Sequence, residues 1–169
     1  SAAIYAYCLN AHSLTIWKDV PGFLNADPKV FDNPILLESI SYTEAIELAF
    51  YGATVIHPKT LQPLQKKEIP LYVKSFLNPY RIGTTISRNI KIKPKIPCFI
   101  VKRNLNLLKL SSLDFSFIVE ENISEIFQVL HKNKMKVDLI QNSAISFSVC
   151  VYDKFNRLDE LLSNLKAVF

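Results

Sequence analysis

Residues 41–58, SYTEAIELAFYGATVIHP, restrict what this chain can fold into more than any other stretch of its sequence. Ser41, with Glu44 three residues later, is a capping box that predicts a helix N-terminus. Gly52 predicts the end of that helix, because glycine adopts the left-handed conformation after the last helical turn at little cost. Pro58 suits the first turn of a second helix, where its missing N–H is not needed. The segment therefore predicts two short helices joined by a tight turn.

His57 stands at this turn and allows two interpretations. An imidazole can act as a general base, since its ordinary pKa lies close to neutral pH. It can also hold a tight junction by a hydrogen bond between a ring nitrogen and the backbone. We favour the structural role. His12 and His131 are given no chemical role.

The first half of the chain alternates strand and helix patterns. SLTIWKDV and IPLYVKSF are rich in β-formers and predict strands, whereas PGFLNADPKVFDNP predicts a long loop. AAIYAYCLNA is apolar on most sides, as a helix buried all round would be. Strands that alternate with helices predict an α/β fold, with a parallel sheet covered on both faces.

The second half has a different order. PCFIVKRN and LNLLKLSS predict two strands, ENISEIFQVLHKNK a helix, VDLIQ a short buried strand, AISFSVCVY an alternating strand and RLDELLSNLKAVF an amphipathic helix. From LNLLKLSS onward this is the ferredoxin-like α+β order without its last strand. We expect the missing strand to leave a slot in the middle of the sheet, and so expect the chain to stop before its fold is complete.

Charge is distributed unevenly between the halves. Residues 1–85 carry seven basic and seven acidic side chains, so the net charge of +5 belongs to residues 86–169. Six basic residues lie between Arg88 and Arg103, interrupted by Pro94 and Pro97. This pattern is typical of a solvated connector with a lysine-rich edge, and a nucleic-acid-binding edge is the alternative. We place the domain boundary near residue 90, giving domains 1–90 and 91–169.

Composition excludes several classes of site. No apolar run approaches the roughly 18 residues that a membrane-spanning helix needs. Cys8, Cys98 and Cys150 are far apart and odd in number, so we predict buried free thiols and a reducing, cytoplasmic location. They have no metal-ligand spacing, and no metal site is predicted.

A set of ordered motifs carries a resemblance to a known family. The strings SAAIYAYCLNA, IWKDVPGFLNADPKVF, ISYTEAIELAFYGATVIHPKTLQPLQKKEIPLYVKSFLNP and GTTIS resemble the C-terminal half of the aspartate kinase catalytic domain. NLLKLSS and KVDLIQNSAISFSV resemble the first ACT regulatory domain of the same enzymes. The resemblance implies the C-terminal half of an amino-acid-kinase-type α/β sandwich followed by an incomplete ACT domain.

The resemblance implies an activity and its ligands. Aspartate kinases use ATP and Mg²⁺ to convert L-aspartate to 4-phospho-L-aspartate, on the route to lysine, threonine and methionine. The family's catalytic lysine and aspartate have no counterpart in these residues, so the chain is expected to be a fragment that is inactive alone. ACT domains pair, which implies a homodimer. Fusion to a homoserine dehydrogenase stays open.

By resemblance, one group of residues borders the nucleotide. Lys18 and Asp19, at a strand end, would lie near adenine and ribose, and Lys29 near the phosphates. Four positions depart from the family pattern, which usually has threonine at 18, tyrosine at 24, arginine at 29 and lysine at 54. The full set comprises Lys18, Asp19, Leu24, Asp27, Lys29, Thr54 and Val55. From the residues alone, Asp19 and Asp27 could equally be turn caps.

A second group would bind an effector amino acid, lysine or threonine, where paired ACT domains meet. Asp138 would receive its ammonium group, and backbone near Phe115 and Val137 its carboxylate. The alternative is that Asp138 caps a turn. Three hypotheses therefore remain: an aspartate kinase fragment, a stand-alone amino-acid-binding module without catalysis, and a nucleic-acid binder, of which we favour the first, with neither membrane nor nucleic acid as a partner.

Overall fold

The computed structural model describes residues 2–53, 55–112, 114 and 116–168. They divide into two compact units, residues 1–102 and 103–169. Among the described residues, no helix is long and apolar enough to cross a membrane.

Within its described residues, the first unit has three helices and four strands. In chain order they are α1 (Ala2–Cys8), β1 (Leu14–Lys18), β2 (Ser39–Ser41), α2 (Tyr42–Tyr51), α3 (Pro58–Lys66), β3 (Leu71–Ser75) and β4 (Thr84–Ser87). The strands form one sheet in the order β1-β3-β4-β2. Its β1–β3 and β2–β4 pairs are parallel, and β3–β4 is antiparallel.

The prediction of an all-parallel sheet is therefore wrong at its central pair. Strand β4 follows β3 after a turn over residues 76–83, without the crossover helix that a parallel pair needs.

Helix α1 also differs from its prediction. Only Ala3 and Ala6 are buried, whereas Ile4 and Tyr5 are 57% and 71% exposed, so one face alone packs on the unit.

The predicted helix boundaries are confirmed. The Ser41 hydroxyl accepts from the Glu44 backbone N–H at 3.2 Å, and the Glu44 carboxylate accepts from the Ser41 N–H at 2.7 Å. Gly52 ends α2 with φ of +134°, and Pro58 opens α3. The core of the unit is formed by buried side chains from the sheet, all three helices and the loop between β1 and β2, including Ala3, Phe23, Leu37, Ile40, Ala45, Leu61, Leu64, Leu71, Val73 and Ile86.

Residues 91–102 form an extended segment that we call the strap. Its side chains alternate: the even-numbered ones are at least half-buried and the odd-numbered ones are exposed. Ile92, Ile96 and Cys98 pack against the first core. The first compact unit consequently extends twelve residues beyond the boundary expected at residue 90. PCFIVKRN, predicted as a strand, contributes a single bridge between Ala26 and Phe99.

The described part of the second unit contains three strands and two helices. They are β5 (Asn106–Ser111), α4 (Glu120–Lys132), β6 (Lys136–Asn142), β7 (Ser146–Tyr152) and α5 (Leu158–Val168). The sheet order is β5-β7-β6, with both pairs antiparallel. The helices cover one face and bury a second core made of Leu108, Ile126, Leu130, Met135, Phe147, Val149, Val151, Leu161 and Leu165.

Two expectations about this sheet are wrong. No slot opens in its middle, because β7 lies between β5 and β6 and pairs with both. VDLIQ is not a buried strand: Leu139 and Ile140 of β6 are 54% and 45% exposed, since β6 lies at an edge.

Cysteine burial also differs from its prediction. All three cysteines are free, but Cys8 is exposed, and Cys98 and Cys150 are only half-buried.

Candidate nucleotide site

A cavity of about 360 Å³ lies in the first unit, at the end of β1. Its volume falls in the range typical of small-molecule sites. The residues that line it come from three separate parts of the chain: Lys18, Asp19, Val20, Gly22, Leu24, Asn25, Ala26, Asp27, Pro28 and Lys29; Leu48, Gly52, Ala53 and Val55; and Phe99, Ile100 and Val101.

The structure brings together every described residue predicted for the nucleotide. Lys18, Asp19, Leu24, Asp27, Lys29 and Val55 all line this one cavity. Thr54 lies outside the described residues. The resemblance thus selected residues that line one cavity, although they are spread over thirty-eight positions of sequence.

Strand β1 carries the first two of these residues to the cavity. Lys18 is its last residue and Asp19 follows directly. The Lys18 carbonyl accepts a hydrogen bond of 2.9 Å from the Phe76 N–H, which extends the pairing with β3 by one step. Side chains that follow the carboxyl end of a parallel strand lie where α/β folds place their ligands.

The loop over residues 20–38 lines one side of the cavity with residues 20, 22 and 24–29, and we call this side the floor. Thr84 holds the loop in place by two hydrogen bonds. The Thr84 hydroxyl accepts from the Phe23 N–H at 2.8 Å and donates to the Leu37 carbonyl at 2.6 Å. Gly22 makes this approach possible, because a Cβ there would stand 2.3 Å from the Thr84 oxygen. Thr84 and Phe23 are fully buried, so the two ends of the loop are tied together inside the core.

Asp27 shapes the part of the loop that carries Lys29. Its carboxylate accepts from the Lys29 N–H at 2.9 Å, and its carbonyl accepts from the Phe31 N–H at 2.9 Å. This is the turn-capping geometry that the sequence allowed. The Lys29 side chain is exposed at the rim of the cavity, so its charge is accessible to an anion.

The remaining walls are mostly apolar. Leu48, Gly52 and Ala53 at the end of α2 form one wall with Val55. Phe99, Ile100 and Val101 of the strap form the other. The combination of two lysines, two carboxylates and two apolar walls suits a ligand with a flat apolar part and an anionic part.

The strap is the part of the site that sequence reasoning missed. Lysines at 91, 93 and 95 led to its interpretation as a solvated connector. The period-2 alternation of Ile92, Pro94, Ile96, Cys98 and Ile100 with exposed residues was the signal that could have identified it as a packed edge segment.

A second cavity, of about 310 Å³, lies in the second unit where β5 ends and α4 begins. It is lined by Leu110, Ser111, Ser112, Asp114, Ser116, Phe117, Ile118, Asn122 and Ile126. Among the described residues, the Ser112 hydroxyl is buried without a hydrogen-bond partner. Hydrogen bonds from the side chain and backbone of Ser116 lower the pKa of the Asp114 carboxyl, which favours its charged form.

Val137 and Asp138, predicted for the effector, are not among the described residues that line this cavity within one chain. Val137 pairs with Val151 near the start of β6, and the register of the strands is irregular at Asp138. Ser111, beside the cavity, pairs with Ser146 at the opposite end of β7. Val137 and Asp138 therefore lie at the far end of the sheet from the cavity. Phe115 lies outside the described residues.

Among the described residues, no three His, Cys, Asp or Glu side chains cluster closely enough to hold a metal ion. Mg²⁺ bound through nucleotide phosphates needs only one or two protein carboxylates, and Asp19 and Asp27 both line the first cavity.

Comparison with known proteins agrees with the resemblance. Residues 1–75 match the model of the amino acid kinase family. The chain is 34% identical over 149 residues to lysine-sensitive aspartokinase 3 of Escherichia coli, an alignment that covers 88% of this chain and 33% of that protein. The structure of Clostridium acetobutylicum aspartate kinase superimposes with a TM-score of 0.83 at 27% identity, over 97% of this chain and 39% of that one. Escherichia coli aspartokinase III in complex with aspartate and ADP gives a TM-score of 0.73 at 32% identity, over 98% and 38% respectively.

The chain spans about one third of the length of the Escherichia coli relative that it matches. Both units are included in the structural match, so the fold class expected from the sequence is confirmed. The chain is therefore related in sequence and fold to a segment of the aspartokinases, and its first 75 residues match the amino acid kinase family.

Proposed function

We propose that this chain forms the nucleotide-binding part of an aspartate kinase together with an ACT regulatory domain. The reaction transfers the γ-phosphoryl group of ATP to a side-chain carboxylate oxygen of L-aspartate, and ADP leaves. The observation that carries the proposal is the convergence of Lys18, Asp19, Leu24, Asp27, Lys29 and Val55 on one cavity. The first unit, which includes the strap, is the catalytic portion, and the second unit is the regulatory one.

Each part of the cavity has a distinct role in this proposal. The apolar walls accept the purine, and Lys18 and Asp19 border the ribose. Lys29, exposed at the rim, neutralises phosphate charge. Phosphoryl transfer depends mainly on positioning and on stabilising charge, so this part of the chain contributes by holding the nucleotide. Mg²⁺ would be held by the phosphates and by Asp19 or Asp27, and would neutralise phosphate charge.

Calorimetric titration of the 169-residue chain with ADP tests the proposal. We expect one site per chain. Lys29→Ala should weaken ADP binding about threefold to tenfold, because a charge-assisted contact to a phosphate is lost. Lys66→Ala removes an exposed lysine from the end of α3, away from the cavity-lining residues, and should leave the affinity unchanged. Absence of any ADP binding, or equal effects of both substitutions, would reject the proposed site.

We further propose that the second unit binds lysine between two copies of the chain. The Escherichia coli relative is lysine-sensitive. Ser112 and Asp114 line the cavity at one end of the sheet, whereas Val137 and Asp138 lie at the other end. An antiparallel second copy would bring these two groups together, and the exposed edge of β6 offers a surface for it. This supports a homodimer with an effector site completed by the partner.

Lysine titration separates the kinase proposal from the stand-alone regulatory module. Asp138→Asn removes a carboxylate that would face the effector ammonium, and should weaken lysine binding about tenfold. Asp159→Asn, in the first turn of α5, is the matched control. Lysine binding without nucleotide binding would favour the stand-alone module, and threonine binding in place of lysine would reassign the effector.

Three free cysteines further favour a cytoplasmic protein.

A further inference from the structure

We infer that the strap is an integral wall of the nucleotide site and that Asn25 is the positioning residue that holds it there. The inference rests on the proposed function of the first cavity. It adds residues that the sequence did not assign to the site, and it names the adenosine part of the nucleotide as the group that the strap contacts.

The strap reaches the cavity as an ordered element. It begins against β2, where the Ser39 hydroxyl donates to the Lys91 carbonyl at 2.8 Å and the Lys93 N–H donates to the Ser39 carbonyl at 2.9 Å. It ends against α2, where a Cβ on Gly52 would stand 3.3 Å from the Ile100 side chain. Its residues that line the cavity, Phe99, Ile100 and Val101, lie at this second anchor.

Asn25 joins the strap to the floor of the cavity. Its side-chain amide donates to the Pro97 carbonyl at 3.2 Å, and its backbone carbonyl accepts from the Phe99 N–H at 2.7 Å. Its side-chain oxygen accepts from the Ile35 N–H at 2.7 Å. Pro97 has no N–H, and the Ile35 carbonyl already accepts from the Asn25 backbone N–H at 3.0 Å, so the orientation of the amide is fixed by its partners. The Asn25 side chain thus connects the loop at Ile35 with the strap at Pro97.

The side chains of this part of the strap present apolar surface. Phe99 is 51% exposed and packs against Phe31 with ring centroids 5.7 Å apart. Phe99, Ile100 and Val101 line the cavity without contributing a charge. Apolar and aromatic surface matches a purine and its ribose rather than phosphates, which require cations or N–H donors. Displacement of the strap should therefore weaken adenosine and ADP alike.

A pair of variants isolates the contact with the strap. Asn25→Asp keeps an oxygen that accepts from Ile35, but an ionised carboxylate cannot donate to Pro97. Ser39→Ala removes a different strap hydrogen bond, the one to Lys91, away from the cavity-lining residues. Each variant loses one hydrogen bond, and Asn25→Asp also sets a carboxylate oxygen against the Pro97 carbonyl, so both should lower the thermal midpoint, Asn25→Asp by more. Only Asn25→Asp should change nucleotide affinity.

The experiment measures adenosine and ADP dissociation constants for the wild-type chain and both variants by calorimetry, well below the unfolding temperature. We expect Asn25→Asp to raise both constants by the same factor, about threefold to tenfold, with Ser39→Ala unchanged. A loss confined to ADP would reveal charge repulsion and overturn the inference. No loss, or an equal loss in both variants, would also overturn it while leaving the proposed function intact. A wild-type chain that binds neither ligand would overturn both.

Discussion

The imidazole Nδ1 of His57 accepts a hydrogen bond of 3.1 Å from the backbone N–H of Lys59. His57 therefore caps the N-terminus of α3, with Pro58 as the first helical residue. The structural interpretation of His57 is confirmed. A histidine followed by proline at this turn satisfies one N–H that the helix cannot satisfy internally, and the proline removes another.

Replacement of His57 should act on stability. His57→Ala leaves the Lys59 N–H without its side-chain acceptor and should lower the free energy of unfolding by about 1 kcal/mol. His57→Asn supplies a strong capping oxygen and should restore most of that loss. Urea denaturation of the three proteins measures both effects. An alanine variant as stable as the wild type would show that the contact contributes nothing.

Thr84 offers the clearest test of the loop under the cavity. Thr84→Val keeps the shape of the side chain but leaves the buried Phe23 N–H and Leu37 carbonyl without their partner, which should cost about 2–4 kcal/mol. Thr84→Ser retains the hydroxyl and should lose much less. The measurement is chemical denaturation, and a larger loss in Thr84→Ser than in Thr84→Val would assign the stabilisation to the methyl group instead.

The phenol of Tyr42 predicts a pH dependence of stability. Burial raises the pKa of Tyr42 to about 12, and its hydroxyl donates to the Ile69 carbonyl. The unfolded chain ionises this phenol near its ordinary pKa of about 10, while the folded chain keeps it protonated. The contribution is therefore complete below pH 10 and is lost as pH rises from about 10 to about 12.

Tyr42→Phe removes this titration, although it also lowers stability at neutral pH because the hydrogen bond is lost. We expect the difference in free energy of unfolding between wild type and variant to shrink as pH rises through that window. Denaturation midpoints of both proteins between pH 8 and pH 11 check this. A difference that stays constant would show that Tyr42 ionises at its ordinary pKa.

Strand β6 should be an association surface. Leu139 of β6 and Leu107 of β5 each pair with Cys150, so they lie on the same face of the sheet, and both are more than half exposed. Leu139→Lys should shift the chain from dimer to monomer in sedimentation experiments, because it places a charge beside the open edge. Leu107→Lys, on the opposite edge strand, should leave the dimer intact. A wild-type monomer would contradict the proposed pairing.

Local features of this sequence were predictable and non-local ones were not. The capping box at Ser41, the glycine at 52 and the proline at 58 act within a few residues, so their patterns alone located α2 and the start of α3. The order of the sheet depends on which distant segments pair. Strands as short as Ser39–Ser41 and Thr84–Ser87 carry too little periodicity to reveal their partners.

In the candidate site, too, some residues could be predicted from the sequence and others could not. Family resemblance selected Lys18, Lys29 and Val55, which share the cavity, because motif order carries long-range information that periodicity lacks. It did not select the strap, whose contribution depends on Asn25 reaching across 72 positions to Pro97. Val137 and Asp138 were predicted to bind an effector where paired domains meet, and this stays a prediction, because within one chain the strand register sets both residues at the far end of the sheet from the second cavity.

Photolabelling with an azido-adenine derivative of ATP tests the location of the nucleotide most directly. After irradiation of the 169-residue chain and proteolysis, mass spectrometry identifies the modified peptides. We predict label on peptides that contain residues 18–29, 48–55 or 97–102, and suppression of that label by excess ADP. Label confined to residues 103–169, or label that ADP does not suppress, would contradict the assignment of the cavity beside β1 as the nucleotide site.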